Sequence, residues 1–208
     1  AMRLLNIQGC NVTMPCKTAA AQNMDELSPA SQLIGAVNTI VNRDGKLYGH
    51  ITDGEGFVAN LKDHGVEVEG KDIVIFGAGG AATAIQVQCA LDGAKSITIF
   101  NPRDGFFEKA EKMVEKIKEK VPACQVELYD LDAKDAMREK IDAADILVNG
   151  TLLGMKPRED TSVINDPSLF HEGLVVADVV YNPKETRLLR EAKEHGCTVV
   201  PGNGMLLW

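Results

Sequence analysis

From about residue 71 onward, short apolar runs alternate with stretches whose apolar residues recur at three- and four-residue spacing. The runs occupy 72–76, 96–100, 125–129, 145–149, 174–178 and 197–200 and are mostly rich in β-branched residues, a pattern that predicts strands. Segments 81–91, 108–120, 133–141 and 184–194 between them have helical spacing and composition. In 108–120, Ala110, Met113, Val114 and Ile117 form one stripe, and the lysines fall on a face laced with glutamates, which reads as a solvated surface. Strand and helix alternating through short connections predict an α/β fold: a Rossmann-type doubly wound parallel sheet with helices on both faces. The pattern before residue 53 is more polar and irregular, with two short strand-like runs around a proline-started helix. It predicts a separate, partial N-terminal α/β unit.

Composition narrows the classes. The chain has 208 residues, 45% hydrophobic and 25% charged, the balance of a globular protein with material for a core. Lys+Arg 22 against Asp+Glu 30 gives a net charge of −8, which argues against nucleic acid as a partner. No apolar run approaches the ~18 residues of a membrane span, and no leader pattern is visible. Cys10, Cys16, Cys89, Cys124 and Cys197 are odd in number and include no CxxC pair. Reduced thiols in a cytoplasmic protein are therefore expected, without a disulfide framework or a metal site.

Gly77-Ala-Gly79-Gly80-Ala81-Ala82 closes the first strand of the alternating region and opens its first helix. It fits the G-x-G-x-x-G/A pattern. Gly77 permits the tight turn, Gly79 lets backbone approach a pyrophosphate, and Ala82 lets the helix pack on the sheet. Unpaired N–H groups at the helix start suit phosphates. The competing reading is a turn that only packs a helix against the sheet. The next strand ends in Asn101-Pro102-Arg103-Asp104, where this fold meets the adenosine ribose. A carboxylate there favours NAD, whereas an arginine favours the 2′-phosphate of NADP. Asp104 is equally suited to cap the following helix.

In the N-terminal half, Asn11-Val12-Thr13 reads as a short strand with Asn11 and Thr13 on one face. Pro15 suits a first helical position. That puts Lys17 in a first turn, where the dipole disfavours a cation and burial readies an amine for proton transfer. An ordinary surface lysine is the alternative. Segments 35–41 and 46–50 form a hairpin turned at Asp44-Gly45. Asp53, after Thr52, is read either as a helix N-cap or as a carboxylate pairing with Lys17.

Taken in order, Asn11-Val-Thr-Met-Pro-Cys-Lys17, Gly35-Ala-Val-Asn-Thr39, Thr52-Asp-Gly54, Gly77-Ala-Gly-Gly-Ala81, Asn149-Gly-Thr151, Gly154-Met155, Ala177-Asp-Val-Val-Tyr-Asn-Pro183 and Gly204-Met-Leu206 resemble shikimate dehydrogenases across the whole chain. Residues 100–110, 154–157 and 204–208 are most similar to the quinate/shikimate branch. The resemblance implies NAD(P)-dependent interconversion of shikimate and 3-dehydroshikimate, and of quinate and 3-dehydroquinate. It implies Lys17 and Asp53 as the catalytic pair, and Asn11, Thr13, Asn38 and Tyr181 at the substrate. Gly77, Gly79, Gly80 and Ala81 would meet the pyrophosphate, Asn101, Arg103 and Asp104 the ribose, and Thr151, Val179, Gly204 and Met205 the nicotinamide. On this reading 1–53 is a partial substrate-binding, catalytic domain and 54–208 the cofactor domain, and a homodimer is carried as the assembly.

Two local departures matter. Pro102 stands where the family commonly has an arginine, and Asp104 follows, which tilts the cofactor toward NAD. Ile51 replaces an asparagine before Thr52-Asp53. The family's N-terminal Ser-rich carboxylate motif and its segment beyond Gly-Met-Leu are not in this chain, so the expectation is a fragment lacking both ends. A truncated inactive fragment, or a dinucleotide-binding module without catalysis, is the alternative.

Overall fold

A computed structural model describes residues 1–13 and 15–208. The N-terminal part contains β1 (Gly9–Asn11), α1 (Lys17–Ala21), β2 (Glu26–Leu27), α2 (Pro29–Ile34), β3 (Thr39–Arg43), β4 (Lys46–His50) and α3 (Asp53–Asp63). Its strands form one sheet in the order β1-β3-β4-β2, with β2 parallel to β4 and the other pairs antiparallel. The β3–β4 hairpin turns where expected. Asp44 and Gly45 both take positive φ, 51° and 85°, the left-handed pair that matches strand twist in a two-residue loop.

Two expectations here are corrected. The first strand ends at Asn11 rather than running through Thr13, because the Thr13 carbonyl accepts the Cys16 N–H at 2.9 Å and turns the chain out of the sheet. Pro15 lies in that turn, and the helix starts at Lys17. The proline-started helix is α2. The Ser28 hydroxyl accepts the Ser31 N–H, Pro29 follows at the first position, and Gly35 ends the helix at φ 74°. The Met14 position within the Asn11–Lys17 motif lies outside the described residues.

The remainder alternates as predicted: β5 (Asp72–Phe76), α4 (Gly80–Leu91), β6 (Ser96–Asn101), α5 (Phe107–Lys120), β7 (Gln125–Asp130), α6 (Lys134–Asp142), β8 (Ile146–Asn149), a 3₁₀ turn at Pro167–Leu169, β9 (Val175–Asp178), α7 (Arg187–Glu194), β10 (Thr198–Val200) and α8 (Asn203–Leu207). The six strands form an all-parallel sheet in the order β10-β9-β8-β5-β6-β7. The chain runs outward through β5, β6 and β7, then returns to β8 on the other side of β5. That reversal is the switch point at which open α/β sheets bind ligands.

Side-chain alternation explains the layers. Ile73, Ile75, Ile97, Ile99, Ile146 and Val148 face a core shared with α3, α4 and α5. Val74, Phe76, Phe100, Leu147 and Val176 face the opposite core, with Met137, Ile141, Leu188, Leu189 and Ala192 of α6 and α7. The last of these helices begins at Arg187, three residues after the expected start. Thr186 caps it, its hydroxyl accepting the Leu189 N–H.

The smaller sheet is not an appendage. Ala30, Leu33, Ala36 and Ile51 belong to the same buried cluster as Ile85, Met113 and Val114. The Lys116 ammonium donates to the Leu33 carbonyl at 3.3 Å. Helix α3 lies against both α4 and α8 at very short range. A Cβ on Gly54 would sit 2.5 Å from the Ala84 carbonyl oxygen, and one on Gly204 would sit 1.9 Å from Asn60 Oδ1. Asn60 cannot swing aside freely, since it is buried and donates to the Pro201 carbonyl at 2.9 Å. Gly204→Ala is therefore expected to destabilise the fold by about 1–3 kcal/mol through overpacking. Urea unfolding reads this as a lower midpoint, and an unchanged midpoint would show that α8 does not dock as described.

Candidate active site

Lys17 opens α1 and Asp53 opens α3, and their side chains meet. Lys17 Nζ lies 3.0 Å from Asp53 Oδ2, with 29% and 27% of the respective side chains exposed. This decides between the two readings of Asp53. Thr52 occupies the N-cap position, without a side-chain cap bond, while the Asp53 carboxylate turns toward the lysine. Asn38 clamps the same oxygen, its Nδ2 donating to Asp53 Oδ2 at 3.1 Å and to Thr52 Oγ1 at 3.2 Å. Its Oδ1 accepts from the Thr52 N–H and the Thr39 hydroxyl. Asn38 thereby holds the entry of α3 against β3.

No hydrogen bond joins the other expected substrate residues to the side chains of this cluster among the described residues. Asn11 is exposed and pairs in register with Thr39. The neighbouring Val12 N–H donates to the Asn38 carbonyl at 2.6 Å. Thr13 is exposed in the following turn. Tyr181, after β9, is 53% exposed.

The glycine turn sits at the carboxyl end of β5. Gly77 has φ 104°, open to glycine alone at low cost. A Cβ there would press on Thr151 Cγ2 at 3.0 Å and on the Gly150 carbonyl, so Thr151 lies directly beside the turn. Gln86, fully buried in α4, donates from Nε2 to the Gly77 carbonyl at 3.0 Å and fixes the turn from behind. A Cβ added to Gly79 or Gly80 would meet no protein atom within 4 Å. Helix α4 starts there without a side-chain cap or an acidic residue in its first turn. Open space over unpaired N–H groups fits a pyrophosphate, and Ala81 lies in that first turn.

At the neighbouring strand ends stands a buried polar cluster that sequence reasoning did not assign. Asn149 Nδ2 donates to Asp178 Oδ1 at 2.9 Å, and its Oδ1 accepts from both the N–H and the hydroxyl of Thr151. Asp178 also accepts from the Val180 N–H and the Thr186 hydroxyl. Burial pushes the Asp178 carboxyl up to about 6, against the pull of these donors. The cluster sets the backbone carrying Thr151 and Val179, and Val179 donates to the Asn149 carbonyl at 3.0 Å. Gly204 and Met205 follow in α8, against α3. The available signal was a polar residue ending an otherwise apolar strand.

Beyond β6, Asn101 is buried, and its amide is engaged by the Pro102 carbonyl and Asp104 Oδ1. It shapes the turn from inside. Asp104 does not cap α5. Its Oδ1 accepts the Phe106 N–H at 2.9 Å, and Phe106 is itself the N-cap residue. Arg103 pairs with Asp130, a residue the sequence did not single out. Among the described residues no helix is long and apolar enough to cross a membrane.

Comparison with known proteins follows the same outline. Residues 1–40 match the family model described as shikimate dehydrogenase substrate binding domain. The chain is 47% identical over 207 residues to a quinate/shikimate dehydrogenase of Escherichia coli, covering 100% of this chain and 72% of that protein. The crystal structure of a shikimate 5-dehydrogenase from Listeria monocytogenes in complex with shikimate and NAD superposes with a TM-score of 0.97 at 48% identity, covering 100% of this chain and 71% of the other. That of a shikimate 5-dehydrogenase from Thermus thermophilus in complex with NADP(H) and shikimate gives 0.79 at 33% identity, covering 100% and 71%.

The raised Asp178 value has a consequence for stability. Its folded value of about 6 exceeds its ordinary 3.8, so in that range the folded chain binds more protons than the unfolded one. The contribution of Asp178 is present below about pH 4 and is lost as pH rises through about 6. Asp178→Asn is expected to gain on the parent by on the order of 2 kcal/mol between about pH 4 and about pH 7, read by urea unfolding of both. A difference constant with pH would contradict the assignment.

Proposed function

The chain belongs to the shikimate dehydrogenase family, and on that premise we propose that Lys17 and Asp53 are the proton-handling pair of an NAD(P)-dependent oxidoreductase acting on shikimate and quinate. The observation that carries this reading is the 3.0 Å contact of two groups 36 residues apart in sequence. The nicotinamide, when bound, supplies the hydride acceptor or donor, so the protein must manage the proton. Oxidation of a secondary hydroxyl leaves a ketone only if its O–H proton departs. The neutral amine form of Lys17 accepts that proton at Nζ, and Asp53 orients the amine and stabilises the ammonium that results. In the reverse direction the ammonium returns it to the carbonyl oxygen.

The substrate pocket we propose draws on Asn11, Thr13, Asn38 and Tyr181 for its hydroxyls and carboxylate. Gly77, Gly79, Gly80 and Ala81 hold the pyrophosphate, Arg103 and Asp104 the ribose, with Asn101 setting their turn, and Thr151, Val179, Gly204 and Met205 border the nicotinamide. Support comes from the open space over Gly79 and Gly80 and from the Thr151 contact with the glycine turn. We assign substrate chemistry to 1–53 and cofactor binding to 54–208, a division supported by the two separate sheets. A cytoplasmic location is supported by five free cysteines.

Following nicotinamide absorbance with shikimate and with quinate tests the reading. With the family's two end segments restored, the parent is expected to turn over at least one of them. Lys17→Ala should lower turnover by about 10²–10⁴-fold while NAD affinity stays within about twofold. Retained turnover in that variant would remove Lys17 from the chemistry. Cofactor binding without turnover by this chain, with turnover gained once the family's two end segments are restored, would identify a truncated inactive fragment, whereas binding without turnover even then would favour a non-catalytic dinucleotide-binding module.

A further inference from the structure

Directly after β6, the ribose end of the proposed cofactor site presents charges of both signs, and their pairing is asymmetric. Arg103 Nε lies 2.8 Å from Asp130 Oδ2, and the guanidinium carbon sits 4.7 Å from the centre of the Phe107 ring. Asp130 is the last residue of β7, in register with Asn101 at the end of β6. Its other oxygen accepts the Asp132 N–H at 3.0 Å, so its carboxylate is held from the main chain. Arg103 is 70% exposed at its side chain and Asp130 only 27%. The fixed member of the pair is the carboxylate.

We propose that Asp130 is a specificity-determining residue for the cofactor, cancelling the charge of Arg103 and holding its Nε edge so that the site selects NAD over NADP. The inference rests on the dinucleotide-binding reading and adds to it a residue outside the glycine turn. An unpaired arginine at this position would grip a 2′-phosphate. With Arg103 neutralised by Asp130, the charge left facing a 2′-phosphate, itself about −2, is that of Asp104, whereas ribose hydroxyls donate readily to carboxylates. Asp130 acts through Arg103 and is a positioning residue.

The test is a binding measurement, independent of turnover. Isothermal titration gives the Kd of NAD and of NADP for the parent, Asp130→Asn, Arg103→Ala and the double variant, at low ionic strength, where exposed charges are least screened. Asparagine retains an oxygen for the Asp132 N–H, so the turn after β7 is preserved. Asp130→Asn is expected to shift the affinity ratio toward NADP by about fivefold, with NAD affinity nearly unchanged. A merely structural role would weaken both cofactors together. In the Arg103→Ala background the same substitution should move the ratio by less than about twofold. An unmoved ratio in Asp130→Asn, or an equal shift with and without Arg103, overturns the proposal. Either result leaves the dehydrogenase reading to be judged separately by turnover with shikimate or quinate.

Discussion

A cation and a carboxylate at the starts of two helices, 3.0 Å apart, set the constraint on which the site depends. Asp53 is well placed at the positive end of α3, whereas Lys17 at the start of α1 is poorly placed with respect to its own helix. The carboxylate compensates that position, and the pair stays partly solvated, as the proposed proton exchange with a substrate requires. Neither element could hold this geometry alone. Helix α1 has five residues, too few to be stable without tertiary contacts. Its place is fixed from outside, by Val37 donating to the Lys17 carbonyl at 3.1 Å and by Ala21 in the small core with Val37, Ile40 and Leu47.

The same logic extends through the molecule. Asn38 ties the end of the small sheet to the entry of α3, and Gly54 lets α3 approach α4, the helix that begins at the glycine turn. The proposed proton-handling and phosphate-binding groups are thus carried by two helices in direct contact. The apolar cluster joining Leu33 and Ile51 to Ile85 and Met113 makes that contact part of one core. On the other side of β5, the buried Asn149–Asp178–Thr186 cluster sets the loops at the ends of β8 and β9. Burying a carboxylate costs stability unless it is hydrogen-bonded, and Asp178 receives three side-chain and backbone donors through these groups.

Much of this was legible in the sequence. The six parallel strands appear within one residue of their expected limits: the inner strands β5, β6, β8 and β9 are buried on both faces and read as continuous apolar runs, while the edge strand β7 shows an exposed–buried alternation. The glycine turn was legible because a strand precedes it and a helix follows. The N-terminal part was harder. Its strands are as short as two residues, and the start of α1 depends on a turn between Thr13 and Cys16 that proline alone does not announce. Asp53 and Asp104 each had two readings, since capping and pairing need the same residue type. Only the three-dimensional neighbours Lys17, Asn38 and Phe106 decide them. Asn149, Asp178 and Asp130 share a signal that was present but unused, a polar residue closing a strand at the edge where ligands bind.

The most direct test of the central claim is a crystal structure of the protein with shikimate and NAD both bound. The account predicts Lys17 Nζ within hydrogen-bonding distance of the hydroxyl oxygen on the ring carbon facing the nicotinamide, with Asp53 still paired to Lys17 and the reacting carbons about 3–3.5 Å apart. A complex in which Lys17 turns to solvent, or in which another side chain occupies that hydroxyl while the cofactor lies along the glycine turn, would contradict it.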